Sequence, residues 1–320
     1  MRITIAVPLA VLLCILASTI AWSAPIMKES NLPGFKGSPI RPRISGDWVV
    51  WRQNEDDKAC LSKGKGIICY NLVTKEAYTV YEGQSSLCNA GDGMATWTGI
   101  KGKLSDFCRG KTDYSDEPSN LIVLELGTWK YYNPPLEAGP AIGPAISGKY
   151  VAYLGQGGIY LLDLSTGQQK RISVGENKPS VPEMSGDIVV WDQCAGKREI
   201  HGYSISQEQE FPIASDPEND LISPDTDGIT VVWYDKKHHI WAYDIGTAKK
   251  KRLADGFYSA VDDGIVAYMK NDLWVYGMDL RDGEEFRISS GPSDSGPEIN
   301  AGRVIWFKGN KITVTELSSK

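Results

Sequence analysis

The stretch Pro182-Glu183-Met184-Ser185-Gly186-Asp187-Ile188-Val189-Val190-Trp191 decides the fold, because its outline returns along the chain. It opens units at Pro42-Arg43-Ile44-Ser45-Gly46-Asp47, Leu87-Cys88-Asn89-Ala90-Gly91-Asp92 and Pro144-Ala145-Ile146-Ser147-Gly148-Lys149. Further units open at Pro224-Asp225-Thr226-Asp227-Gly228, Tyr258-Ser259-Ala260-Val261-Asp262-Asp263-Gly264 and Pro297-Glu298-Ile299-Asn300-Ala301-Gly302. Each leads through a β-branched or small apolar pair to an aromatic: Trp51, Trp97, Tyr153, Trp191, Trp233, Tyr268 and Trp306. That makes seven units with a mean period of about 42 residues. Fixed self-similarity at this period, with several short strands per unit, is the pattern of propeller blades.

Within a unit, the Pro-x-Ile-Ser piece reads as a short inner strand. Gly-Asp then turns the chain into the Val-Val-Trp strand. The third strand alternates, as in Ile159-Tyr160-Leu161-Leu162-Asp163-Leu164, and a Ser165-Thr166-Gly167 turn leads to a fourth such as Lys170-Arg171-Ile172-Ser173. No unit holds an amphipathic stretch of helical spacing, which excludes solenoids of helix pairs. The marker aromatics are expected in the layers between blades. After Trp306 the chain supplies only Lys311 to Leu317, so the last unit has three strands of its own. The chain is therefore expected to be all-β: a seven-bladed β-propeller of four-stranded antiparallel blades, closed when the N-terminal segment around Ile26 to Asn31 joins the C-terminal blade.

The units Pro-x-Ile-Ser-Gly-Asp-x-Val-Val-Trp followed by Ile-Tyr-Leu-x-Asp-Leu resemble TolB-like β-propeller repeats and the related repeats of prokaryotic surface propeller proteins. The resemblance runs from about Pro42 to Leu317 and is weakest in the second unit. It implies an exported propeller acting through protein or ligand contacts, with an axial channel and loop-lined rims as binding surfaces.

Composition agrees with strands. Ten Trp, 15 Tyr, 33 Gly and 17 Pro among 320 residues, with 42% hydrophobic and 23% charged, suit turns and aromatic strands over a buried core. A net charge of −6 without a basic cluster removes nucleic acid as a partner class. Arg2, the apolar run Ile3 to Ala21 and the small residues Ala21 and Ser23 read as a secretory signal cut after Ser23. Residues 1–23 are then the signal peptide, and 24–320 a single propeller domain, secreted, periplasmic or at the cell surface. An uncleaved anchor is the alternative, since the run could span a bilayer of about 30 Å. Contact with a membrane arises only in that case.

Five cysteines remain in the exported chain, so one thiol is left over. The expected disulfides are Cys60 with Cys69 and Cys88 with Cys108, with Cys194 unassigned. No Cys-x-x-Cys pair occurs, and three His offer no zinc set. No metal site and no cofactor is expected. The clusters Asp216 to Asp220, Asp225 with Asp227, and Asp294 could supply oxygen ligands to calcium, but the same residue types are ordinary turn formers. Gly-x-Ser-x-Gly, His-Glu-x-x-His and Walker motifs are absent, and no catalytic set emerges. His238 and His239 fall in a hairpin tip, and His201 has no visible partner.

Two insertions, Arg52 to Gly66 and Thr98 to Asn120, lie between strands two and three of adjacent units. They belong on one rim, where binding residues concentrate on a rigid scaffold. Lys63, Lys101, Lys103, Asp106 and Arg109 are the candidate binding residues there. The leading expectation is a non-catalytic module binding a protein or cell-surface polymer through this rim. The alternatives are a hydrolase or lyase on a saccharide or peptide, with carboxylates at the channel mouth, and a lectin-like module with one sugar pocket per blade.

Overall fold

Seven antiparallel sheets follow one another along the chain in the computed structural model. It describes residues 26–33, 39–54, 64–83, 85–99, 120–175, 178–194, 196, 198–216 and 218–318. The signal segment, Cys60, Cys108, Lys63, Lys101, Lys103, Asp106 and Arg109 lie outside the described residues.

Blade one is Pro39–Ser45, Trp48–Asn54, Gly64–Asn71 and Ala77–Glu82, each strand paired to the next. Blades two, three, five and six repeat this order, beginning at Asn89–Gly91, Ile142–Ser147, Leu221–Thr226 and Phe257–Asp262. In blade four the innermost strand is broken into Lys178–Pro179 and Glu183–Ser185, both paired to Ile188–Cys194. Blade seven runs Glu298–Asn300, Arg303–Lys308 and Lys311–Ser318, and its fourth strand is Ile26–Asn31 from the other end of the chain. The register runs from Ile26 opposite Ser318 to Asn31 opposite Thr313, as the three-strand remainder of the last unit requires. The ring thus closes as expected, and the edge of Lys311–Ser318 is covered.

The core is divided into seven layers, one between each pair of neighbouring blades, and each layer holds one marker aromatic. Trp51 packs with Ile305, Ile312 and Val314 of blade seven, and Trp97 with Val50, Ile67 and Cys69 of blade one. Tyr153, Trp191, Trp233, Tyr268 and Trp306 fill the other five layers in the same way. All seven are at most 3% exposed. The aromatic recurs because each blade must close one such layer over a full side chain.

The Ser-Gly-Asp ending of the inner strand has a second use beyond turning the chain. At six of the seven blade junctions, among the described residues, an oxygen at or beside that ending accepts a turn N–H of the next blade. Ser45 Oγ accepts from Gly93 at 2.9 Å, Asp92 Oδ2 from Gly148 at 2.8 Å and Ser147 Oγ from Gly186 at 2.9 Å. Asp227 accepts from Gly264, Asp262 from Ala301, and Asn300 from Gly46 across the closure. Asp92 also takes the Ser147 hydroxyl and holds a positive φ of 49°. Asp92→Ala removes both bonds and places alanine in the left-handed region, so urea denaturation should show a loss of about 1–2 kcal/mol. Asp92→Asn should recover most of it; equal midpoints for wild type and Asp92→Ala would show the junction bonds to be idle.

The second unit sits one residue later than its sequence alignment with the first. Asn89 opposes Thr96 as Arg43 opposes Val50, so Asn89, not Cys88, occupies the place of Arg43. Neither expected disulfide is present. Cys69 and Cys88 carry free thiols buried in the apolar layer between blades one and two. Burial pushes the Cys88 thiol up to about 12 and raises the Cys69 thiol as well, with the neighbouring Cys88 adding to the latter. Cys194 is exposed and free.

Candidate axial binding site

One position of the repeat converges on the axis: the variable residue of Pro-x-Ile-Ser. In the seven inner strands it is Arg43, Asn89, Ala145, Glu183, Asp225, Ala260 and Glu298, in equivalent register opposite Val50, Thr96, Ala152, Val190, Val232, Ala267 and Ile305. Side chains alternate along a strand, so the next residue enters the layer between blades, while at this position Arg43, Asn89, Glu183, Asp225 and Glu298 are brought together.

Arg43 spans the ring. Its guanidinium donates to Glu298 of the adjacent blade seven at 2.9 Å and to Glu183 of blade four, on the far side of the axis. Asn89 donates to the other Glu183 oxygen at 2.8 Å. Asp225 accepts the backbone N–H of Val261 at 2.8 Å. Three carboxyls therefore surround one guanidinium. Burial alone would lower the Arg43 pKa, but Glu183, Glu298 and Asp225 outweigh it and hold it above the ordinary value. Burial raises the Glu298 carboxyl, and Glu183 adds to this while Arg43 opposes it. Asp225 is pushed well above the carboxylate range by burial first, then by the charges of Glu183 and Glu298; the Val261 bond and Arg43 only partly offset them.

Above this floor opens a cavity of about 830 Å³. Its wall is shaped by bulges in the inner strands, between Ile40 and Arg43, Ile222 and Asp225, and Phe257 and Ala260. At each bulge a residue adopts the left-handed region: Arg41 at φ 42°, Ser223 at 51° and Tyr258 at 55°. Bulges re-aim side chains, and non-glycine residues at positive φ hold local strain that the surrounding sheet must sustain. Here they turn Arg41, Ser223 and Tyr258 into the cavity wall. Tyr258 is 46% exposed and stands edge-on to Tyr234 and Phe257, at 5.6 and 5.1 Å between ring centroids. Gly296 leaves it room, since a Cβ there would lie 2.5 Å from Tyr258 Cβ. On the opposite wall Asp192 accepts from Arg198 and from the Ser180 hydroxyl, both at 2.6 Å.

The expected rim residues Lys63, Lys101, Lys103, Asp106 and Arg109 are not among the described residues. The acidic clusters separate: Asp225 joins the axial ring, Asp227 serves a blade junction, and Asp216 accepts the N–H groups of Glu218 and Asn219 in its own loop. Among the described residues no group of three or more His, Cys, Asp or Glu is arranged to hold a metal ion. His238 and His239 lie at the expected hairpin tip, where His239 Nδ1 is 3.1 Å from Asp235. His201 gains a partner on the next strand, Glu210, at 2.8 Å. The axial ring itself escaped the sequence reading. Its signal was charge inside an inner strand, where an unpaired charge is costly.

No family model matches the chain, and no curated protein matches it. Solved structures do match. The β-propeller domain of the Trilobed protease from Pyrococcus furiosus, with an open velcro topology, superposes with a TM-score of 0.63 at 12% identity, covering 90% of this chain and 96% of that one. The likeness is one of fold. The acylaminoacyl peptidase of Pyrococcus horikoshii matches at TM-score 0.61 and 14% identity over 84% of this chain, which spans about half (48%) of the peptidase. TolB from Acinetobacter baumannii matches at TM-score 0.45 and 16% identity, over 86% of this chain and 81% of that one. Unlike the open velcro propeller, this propeller closes its ring with Ile26–Asn31 on Lys311–Ser318.

Proposed function

We propose that this propeller is an exported, non-catalytic binding module that takes a protein or cell-surface polymer on the face where the axial cavity opens. The observation that carries the reading is the cavity of about 830 Å³ with a preorganised polar floor and an exposed aromatic on its wall. A concave site with a few convergent polar groups is the usual form of a ligand pocket. A hydrolase would need a carboxylate left available beside Asp225, whose pKa burial raises, as a glycosidase pair requires. Glu183 and Glu298 are instead both engaged by Arg43, and Asp192 by Arg198 and Ser180.

The test compares wild type with an Arg41→Glu, Tyr258→Ala double variant in capture from the exported fraction. Both residues are exposed wall positions and leave the floor intact. Proteins or polymers retained by wild type should fall more than tenfold with the variant. An unchanged captured set would overturn the assignment to this face.

A further inference from the structure

We propose that the axial cavity is a site for a protonated primary amine, presented along the axis by a lysine side chain or a small polyamine, and seated over the Glu183, Asp225 and Glu298 carboxyls beneath the Tyr258 ring. This deepens the binding-module reading and rests on it. The first support is charge. Five carboxylates line the cavity (Glu183, Asp192, Asp225, Asp294 and Glu298) against three arginines, and two of those, Arg43 and Arg198, are already committed to carboxylates. The floor thus carries a surplus of acid that one guanidinium cannot neutralise.

The second support is independent of the acids. Ser259 lines the same cavity, is only 7% exposed, and its buried hydroxyl has no hydrogen-bond partner; Arg43 Nε is likewise buried and unpartnered. Buried hydroxyls are nearly always bonded, so an orphan hydroxyl on a residue of the cavity lining is a group that a ligand could satisfy. Ser259 precedes Ala260 of the axial ring, on the strand whose Val261 N–H binds Asp225. In the proposed mode an ammonium donates to Asp225, with Ser259 as the nearby acceptor that a small side-chain adjustment would bring to it. Tyr258 lines the same cavity and is 46% exposed, and aromatic faces attract cations. The carboxyls are not placed to chelate a metal ion, so the fitting cation is one that brings its own N–H donors.

A consequence follows for protons. Burial first, and then the charges of Glu183 and Glu298, raise the Asp225 pKa; a bound ammonium supplies positive charge that opposes this rise and favours ionised Asp225. Binding therefore releases a proton and tightens as pH rises through the titration of Asp225, by up to about tenfold per pH unit.

Isothermal titration calorimetry on the full chain tests this with three probes: the tripeptide Gly-Lys-Gly with blocked termini, the same peptide with its lysine acetylated, and 1,5-diaminopentane. Saturable binding of the lysyl peptide is expected. Acetylation should abolish it, and the heat should vary with the buffer's ionisation enthalpy as proton release requires. A peptide at least tenfold tighter than the diamine identifies a peptide as the source of the amine, and similar affinities identify a small polyamine. Asp225→Asn, which keeps an acceptor for Val261 N–H, should weaken binding at least tenfold and remove the buffer dependence, and Ser259→Ala should weaken it about threefold. Thermal melting of each variant checks its fold. No saturable binding of either amine, equal binding of the acetylated peptide, or full affinity in Asp225→Asn would overturn the proposal. If capture through the Arg41 and Tyr258 wall persists while amine binding fails, the amine inference falls alone; if both fail, the binding-module reading falls with it.

Discussion

Deleting residues up to Leu32 is expected to destabilise the propeller by about 3 kcal/mol or more and to make it associate through the uncovered edge of Lys311–Ser318. The deleted strand pairs along six residues, and the Leu32 N–H then bonds the Ile312 carbonyl. Leu32 is buried against Trp51 and Ile312, in the layer between blades one and seven. Losing a buried leucine costs about 2–5 kcal/mol by itself. The ladder bonds add roughly 1 kcal/mol each, partly offset by the conformational entropy regained by the freed segment. Glu29 also accepts from both the backbone and the hydroxyl of Ser290 at 2.8 Å, tying the closing strand to blade six. Urea denaturation should show the lower midpoint, and light scattering the association. A monomer with the wild-type midpoint would show that the ring does not depend on this closure.

Replacing Arg43 by methionine should cost about 3–5 kcal/mol at neutral pH, because Glu183, Glu298 and Asp225 would then share a buried site with no cation. Arg43→Lys should recover only part of this, since a single ammonium cannot reproduce the fork that spans the ring from Glu183 to Glu298. The pH dependence has a definite sign. Asp225 and Glu298 have folded pKa values raised above those of the unfolded chain, so the folded protein keeps protons that the unfolded chain releases. Their contribution favours the fold at low pH. It is lost as pH rises from the unfolded carboxylate range near ~4 through the raised folded values. Arg43→Met steepens that loss and therefore does least harm in acid. Asp225→Asn removes the largest part of it and should stabilise the protein at pH 8 relative to pH 4. Urea midpoints across this range decide the matter: a pH-independent penalty for Arg43→Met, or an Asp225→Asn variant with the wild-type slope, would refute the charge account of the ring.

The blade count, the marker aromatics and the closing strand were legible because each is a local pattern with a short period. A β-branched pair followed by an aromatic, a Gly-Asp turn and an alternating strand specify a hairpin wherever they occur, and Lys311 to Leu317 visibly lacked a partner. Cys69 and Cys88 show where such reasoning stops. Their loops suggested bridges, whereas Cys69 in the strand Gly64–Asn71 and Cys88 just before Asn89–Gly91 both turn their thiols into a layer between blades. Asp225 was legible only as one acid among many, of a type that turns use more often than calcium sites or glycosidase pairs do.

From sequence alone, this protein was determined to be a ring of seven blades, since periodicity needs only neighbours along the chain to be read. What stands at the centre of the ring was decided by tertiary structure. Arg43 meets Glu183 across 140 residues and Glu298 across 255, contacts that exist only once the ring has closed. The bulges that turn Arg41, Ser223 and Tyr258 to the cavity likewise come from how each inner strand pairs with its neighbour. A repeat specifies the same backbone seven times; the axis gathers one of the positions at which the copies differ, and the charges collected there give the cavity its chemistry.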